Sequence, residues 1–166
     1  MKYYFDTFET SFGNYSIAVN ETGAVVAAAF GGKATLARHP HGRELHRDPQ
    51  RVGPARREIV EYLNGKRRTF GVKLAPEGTA FQKRIWFALR GIPFGQTRSY
   101  GQLAAQEGKP GAARAVGQAV ATNPICLLIP CHRVIAANGA LGGFAFGQKL
   151  KRRLLAHENP ASVNYK

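Results

Sequence analysis

The chain has little of what builds an extracellular or membrane protein. Two cysteines in 166 residues argue against a disulfide scaffold and fit a reducing interior better. No stretch approaches the ~20 apolar residues of a membrane span. The opening Met1-Lys2-Tyr3-Tyr4-Phe5-Asp6 lacks the apolar core of a signal peptide, so a cytoplasmic protein with no membrane partner is expected. Acids are scarce as well: 10 Asp and Glu against 24 Lys and Arg leave a formal charge of +14. The scarcity is uneven. Residues 78–166 hold 12 Lys and Arg and only Glu107 and Glu158, whereas residues 1–77 hold 12 against eight acids. Positive charge concentrated in one half suits a polyanion, most simply nucleic acid, although solvated surface lysines would give the same composition. An apolar content of 44% with 10 Phe, 6 Tyr and 1 Trp is enough for a core, and the length fits one ordinary domain or two small ones.

Strand formers at Tyr15–Val19 and Val25–Phe30, punctuated by Gly13-Asn14 and Glu21-Thr22-Gly23, predict a hairpin or meander over residues 1–30. Residues 31–54, polar and rich in Gly, Pro and His, read as an irregular connection. A helix is expected from about Pro54 to Leu63, ended by Asn64-Gly65, then a short strand at Thr69–Leu74 and a linker at Pro76-Glu77-Gly78. The second half reads as mainly helical. Thr79-Ala80-Phe81-Gln82 and Ser99-Tyr100-Gly101-Gln102 are capping boxes. The first opens a helix with Phe81, Ile85, Ala88 and Leu89 on one face, closed by Gly91–Gly95; the second opens a helix to about Gln106. After a turn at residues 107–111, a helix runs from Ala112 to Ala121 and stops before Asn123-Pro124. A last helix is expected over Gln148–His157. The domains are thus residues 1–76 and 77–166.

Two helices joined by a glycine-containing turn have the organisation of a helix-turn-helix. With Val116 inward beside Ala113 and Val120, the opposite face of the second helix carries Gly111, Arg114, Gln118 and Ala121. Small residues let that face lie close to a groove, and Arg114 is the one long cation on it. The apolar run Ile125–Ile129 predicts a buried strand, followed by Pro130-Cys131-His132-Arg133. A cysteine there, beside a histidine, is a candidate nucleophile if its thiolate is stabilised. Neighbours on an extended segment point to opposite faces, so His132 reaches Cys131 only through a turn or a bridging water. Glu158 is the better of the two acids to orient it. Cys126 reads as an inert core residue facing away from Cys131. His39, His41 and His46 lie in a basic stretch with poor spacing for zinc, so no metal is expected. The residues alone leave open a reactive thiol, a DNA-binding module with a merely buried cysteine, and a cysteine hydrolase, although hydrolases draw their base from elsewhere in the chain.

Phe81-Gln82-Lys83-Arg84-Ile85-Trp86, Ile92-Pro93-Phe94-Gly95, Ser99-Tyr100, Ala113-Arg114-Ala115-Val116-Gly117, Asn123-Pro124, Ile129-Pro130-Cys131-His132-Arg133-Val134 and Leu154-Leu155-Ala156-His157-Glu158 occur in that order. Together they resemble the O6-alkylguanine-DNA alkyltransferase family of DNA-repair proteins. The resemblance implies an N-terminal RNase H-like α/β domain and a mainly α C-terminal domain with a helix-turn-helix. It implies direct, irreversible transfer of an alkyl group from O6-alkylguanine, and from O4-alkylthymine, in flipped-out bases of duplex DNA to the protein's own cysteine. Each chain would act once, without a cofactor, as a monomer able to assemble cooperatively on DNA.

The same resemblance implies roles. Cys131 attacks the alkyl carbon. His132, through a water and backed by Glu158, takes the thiol proton, and Tyr100 donates toward guanine N3. Asn123 ties the recognition helix to the active-site segment. Arg114 fills the gap left by the extruded base, while Ser99, Tyr100, Ala115, Gly117 and Gln118 also meet DNA. Pro130, Val134, Phe144, Ala145 and Phe146 line the pocket, with the carbonyls of Cys131 and Val134 toward the guanine amino group and main-chain donors near Ala145 toward O6. Phe144 stands where the family often has tyrosine, and Phe146 where many members have glycine. Methyl adducts are therefore expected to transfer well and benzyl-sized ones poorly. The chain lacks the regulatory cysteine-zinc domain and the N-terminal zinc cysteines of some members. Its cysteine separates it from the alkyltransferase-like lesion sensors.

Overall fold

The computed structural model describes residues 1–38 and 44–162, in two compact units. The first comprises Met1–Glu77 together with Pro124–Leu128. Strands β1 (Tyr3–Thr10), β2 (Gly13–Asn20), β3 (Val25–Phe30) and β4 (Leu45–Arg47) form one sheet in the order β3-β2-β1-β4. The meander β1-β2-β3 is antiparallel and β4 joins β1 in parallel. Helix α1 (Pro49–Leu63) packs on β1 and β2, and its Val52, Ile59 and Tyr62 are buried with Tyr15, Ile17 and Val19 of the sheet.

The expected hairpin or meander is present, and α1 ends at Asn64-Gly65 as read, with Gly65 at φ +75° and Lys66 N donating to Glu61 O at 2.8 Å. Three readings need correction. Residues 31–54 are not an irregular connection throughout: they hold a 3₁₀ helix (Lys33–Arg38), β4 and the start of α1. That helix starts at Pro49, because Asp48 accepts hydrogen bonds from Gln50 N and Arg51 N; Pro54 lies inside it. Thr69–Leu74 is not a strand. The buried Glu58 carboxylate accepts from Gly71 N (2.6 Å) and Val72 N (3.1 Å), taking donors a ladder would need, and only Leu74 bridges to Val25. Ile125–Ile129 is buried as expected, but it is not a regular strand. Leu127 has φ +71°, and Leu128 N donates to Cys126 O at 2.9 Å, closing a tight turn. The opposed facing of Cys126 and Cys131 on a strand therefore does not apply. Two short segments lie along β3: Val25 exchanges hydrogen bonds with Lys73 and Ala75, and Ala28 with Pro124 and Cys126.

The second unit comprises Gly78–Asn123 and Ile129–Lys166, described to residue 162. It holds α2 (Ala80–Arg90), β5 (Arg98–Ser99), α3 (Tyr100–Gln106), α4 (Ala113–Ala121), β6 (Val134–Ile135) and α5 (Gln148–Glu158). Both capping boxes form as read. Ile85, Trp86, Ala88 and Leu89 are the buried face of α2; Phe81 is only half-buried, under Lys109. Trp86 Nε1 donates to Ala119 O at 2.8 Å, fastening α2 to α4, and α3 packs against α4. No described helix is long and apolar enough to cross a membrane. His39 and His41 lie outside the described residues; His46, on β4, has its ring 6.3 Å from that of Tyr4.

Candidate active site around Cys131

Cys131 opens a 3₁₀ turn, Cys131–Arg133, rather than simply following a strand. Pro130 precedes it with Cys131 N donating to Ile129 O, and Val134 N donates back to Cys131 O as the chain enters β6. Cys131 is partly exposed, while Pro130, His132, Arg133 and Val134 are buried. The turn thus leaves Cys131 partly accessible and sends the next two side chains into the unit.

Inside, His132 and Arg133 converge on Glu158, the last residue of α5. His132 Nε2 lies 2.8 Å from Glu158 Oε2, and Arg133 donates from Nε and Nη2 to the two carboxylate oxygens, each at 2.8 Å. Arg133 Nη1 donates to Ile92 O. Burial alone would raise the Glu158 pKa, but hydrogen bonding and charge from His132 and then Arg133 hold it well below the usual carboxylate range. Burial pushes His132 down, and the Glu158 contact only partly opposes this. A neutral imidazole beside an ionised carboxylate must carry its proton on Nε2, since the carboxylate only accepts. The other nitrogen, Nδ1, then has a bare lone pair. It is the one buried side-chain nitrogen or oxygen among the described residues without a hydrogen-bond partner. The turn that holds the cysteine therefore also holds a buried base.

Tyr100 reaches the same region through a non-local pairing. Arg98 and Ser99 of β5 pair in parallel with Val134 and Ile135 of β6, setting the start of α3 beside the Cys131 turn. The Tyr100 ring lies between Gly117 of α4 and Gly142: a Cβ added at Gly142 (φ +73°) would stand 3.1 Å from the Tyr100 hydroxyl. Burial, then the charge of Cys131, raise the Tyr100 pKa against a Gly143 backbone hydrogen bond, so the phenol stays a donor at neutral pH. Asn123 Nδ2 donates to Ile129 O at 2.9 Å, tying the end of α4 to the residue two before Cys131. Phe144 and Phe146 are half-buried with rings 5.5 Å apart, edge to face, and Ala145 between them is exposed.

On α4, Val116, Ala119 and Val120 are buried, and Ala113 only partly so. Gly111, Arg114, Ala115, Gln118 and Ala121 are exposed, giving the outer face expected from spacing. Gly117 faces Tyr100. The Ser99 hydroxyl is occupied in capping α3. The sequence reading missed two residues. Arg133 was visible only as part of a motif. Lys151 sat in a basic run, yet it shares the spacing of Leu154, Leu155 and Glu158 and is fully buried with them.

Two family models cover the chain: the ribonuclease-like domain of 6-O-methylguanine DNA methyltransferase over residues 3–76 and the DNA binding domain of the same family over residues 80–160. The methylated-DNA–protein-cysteine methyltransferase of Methanosarcina acetivorans is 42% identical over 158 residues, covering 93% of this chain and 97% of that protein. The inducible enzyme of Bacillus subtilis is 46% identical over 121 residues, covering 73% and 68%. The Mycobacterium tuberculosis OGT structure in complex with DNA matches with a TM-score of 0.86 and 37% identity, over 96% of this chain and 97% of that one. The two models follow one another along the sequence and together span residues 3–160, and with these relatives they show that the chain belongs to the 6-O-methylguanine DNA methyltransferase family.

Proposed function

We propose that this protein repairs DNA by moving the methyl group of O6-methylguanine onto Cys131. The observation that carries the choice of residue is the unpartnered Nδ1 of His132, a buried base held by Glu158 in the same turn as the partly exposed Cys131. The thiol proton passes through a water to Nδ1, and the imidazolium formed is stabilised by the carboxylate behind it. The thiolate attacks the methyl carbon in line with O6. The S–C bond forms as the C–O6 bond breaks, and the electron pair leaves with guanine, whose ring takes a proton. Tyr100 donates toward N3 as that charge develops. Thiolate is a poor leaving group from saturated carbon, so each chain acts once.

Residues 1–76 serve as the ribonuclease-like domain and residues 77–166 as the DNA-binding and acceptor domain, in which α3 and α4 act as a helix-turn-helix. The bare outer face of α4 enters the minor groove, where sequence information is sparse and any sequence can be scanned. Arg114 occupies the gap left by the extruded guanine; unstacking costs a few kcal/mol, less for a badly paired lesion. Pro130, Val134 and the Phe144–Phe146 loop enclose the purine. O4-alkylthymine is a second substrate of the same chemistry. The protein works as a monomer in the cytoplasm, assembling on DNA as lesions are searched.

Incubation with duplex DNA carrying O6-methylguanine, followed by peptide mass spectrometry, tests this. One methyl increment per chain, on Cys131, is expected. The Cys131→Ala variant should lose transfer and keep DNA binding. A methyl on any other residue, or turnover beyond one per chain, refutes it.

A further inference from the structure

Lys151 lies on α5 with its side chain fully buried, the most costly environment for an ammonium. No carboxylate among the described residues pairs with it. The two acids of this unit are both engaged elsewhere: Glu107 with Arg84, and Glu158 with His132 and Arg133. Its Nζ instead donates to two carbonyls, Val134 O at 2.6 Å and Gly143 O at 3.1 Å. Those carbonyls belong to the segments that flank the nucleophile. Val134 N donates to Cys131 O, and the Gly143 amide meets the Tyr100 hydroxyl, one residue before Phe144. Carbonyl dipoles offset part of the burial cost but supply no counter-charge.

We propose that Lys151 is a positioning residue of the transfer reaction, its ammonium acting as the counter-charge of the Cys131 thiolate while it clamps the 142–146 loop to the turn that carries the nucleophile. The charge of this ammonium is coupled to Cys131 and to His132, and that of Cys131 to Tyr100 of α3, while the hydrogen bonds of Nζ to Val134 O and Gly143 O hold it between the two segments. Burial pushes Lys151 down to about 8, and the charge of Cys131 acts in the opposite direction, as expected of a pair. A cation beside a thiol favours the thiolate, the form that reacts. Methylation replaces the thiolate by a neutral thioether, so the spent protein keeps a buried ammonium whose partner has gone.

This inference rests on the alkyl-acceptor reading above, and its first measurement needs no DNA. The rate of iodoacetamide capture at Cys131, located by peptide mass spectrometry, is measured against pH for the wild-type chain and Lys151→Met. The variant's midpoint is expected to rise by about one pH unit, with capture at pH values below the wild-type midpoint falling about tenfold. A folded variant with the wild-type midpoint overturns the assignment, whereas a wild-type chain that accepts no methyl from DNA counts against the reading it rests on. A second measurement uses the unmutated chain, so it stands even where Lys151→Met fails to fold. The Lys151 titration is followed by NMR of labelled lysine before and after S-methylation of Cys131. A downward shift on methylation supports the pairing, and an unchanged midpoint overturns it.

Discussion

Replacing Glu158 by glutamine removes the single negative charge on which two buried partners converge. The carboxylate receives two hydrogen bonds from Arg133 and one from His132, each at 2.8 Å, with its side chain 1% exposed. Glutamine offers one accepting oxygen and turns an N–H₂ toward a donor, leaving the Arg133 guanidinium buried without its counter-charge. Breaking a buried ion pair on one side costs about 3–5 kcal/mol. With a urea m-value of about 2 kcal/mol/M, the unfolding midpoint should fall by about 1.5–2.5 M. The pH dependence has a definite sign. Glu158 is held below its unfolded pKa of about 4.3, so its contribution is full above that value and is lost as pH falls through the folded one. The difference between wild type and Glu158→Gln should therefore be constant near neutrality and narrow below about pH 4. Arg133→Met strands the opposite charge and should cost a similar amount, and the double variant should cost well under the sum. Urea curves for all four proteins at pH 7, and for wild type and Glu158→Gln at about pH 3, check this. A Glu158→Gln midpoint within about 0.5 M of wild type, or additive losses in the double variant, would refute the reasoning.

Arg114→Ala should slow repair of duplex DNA far more than methyl transfer from the free base, and should lower the salt slope of DNA binding by about one; parallel single-turnover assays and salt titrations check both. Phe146→Gly, which removes one partner of the Phe144 edge contact, should speed transfer from O6-benzylguanine while leaving the methyl rate within about twofold, and equal benzyl and methyl rates in the unmutated chain would contradict a narrowed entrance.

What could be read from the sequence was local. Thr79 with Gln82, and Ser99 with Gln102, declare helix starts three residues apart, and both boxes close as read. The outer face of α4 follows from 3.6-residue spacing once Val116 is turned inward. The ordered motifs from Phe81 to Glu158 carried the family and the pairing of His132 with Glu158. What could not be read was set by distant partners. The two-residue strands β5 and β6 have no periodicity of their own and exist because residues 98–99 and 134–135 meet. Thr69–Leu74 had strand composition, but the Glu58 side chain took its donors. Burial of Ile125–Ile129 was legible from its apolar run; the reversal at Leu127 was not. Lys151 was hidden among Lys149, Arg152 and Arg153 because a cation is not ordinarily counted with an apolar face, although its spacing to Leu154, Leu155 and Glu158 puts it on that face.

The last segment laid along β3 arrives late in synthesis. Residues 124–126, which bond to Ala28, leave the ribosome about 2–10 s after residue 77, at about 5–20 residues per second. During that interval the nascent first unit carries a strand margin with unpaired amides and carbonyls, open to pairing with another unfinished chain. A fragment ending at residue 77 would keep that margin permanently. Truncated forms of this protein should therefore self-associate more readily than the whole chain, and a ribonuclease-like unit isolated for study should include a graft of residues 124–128.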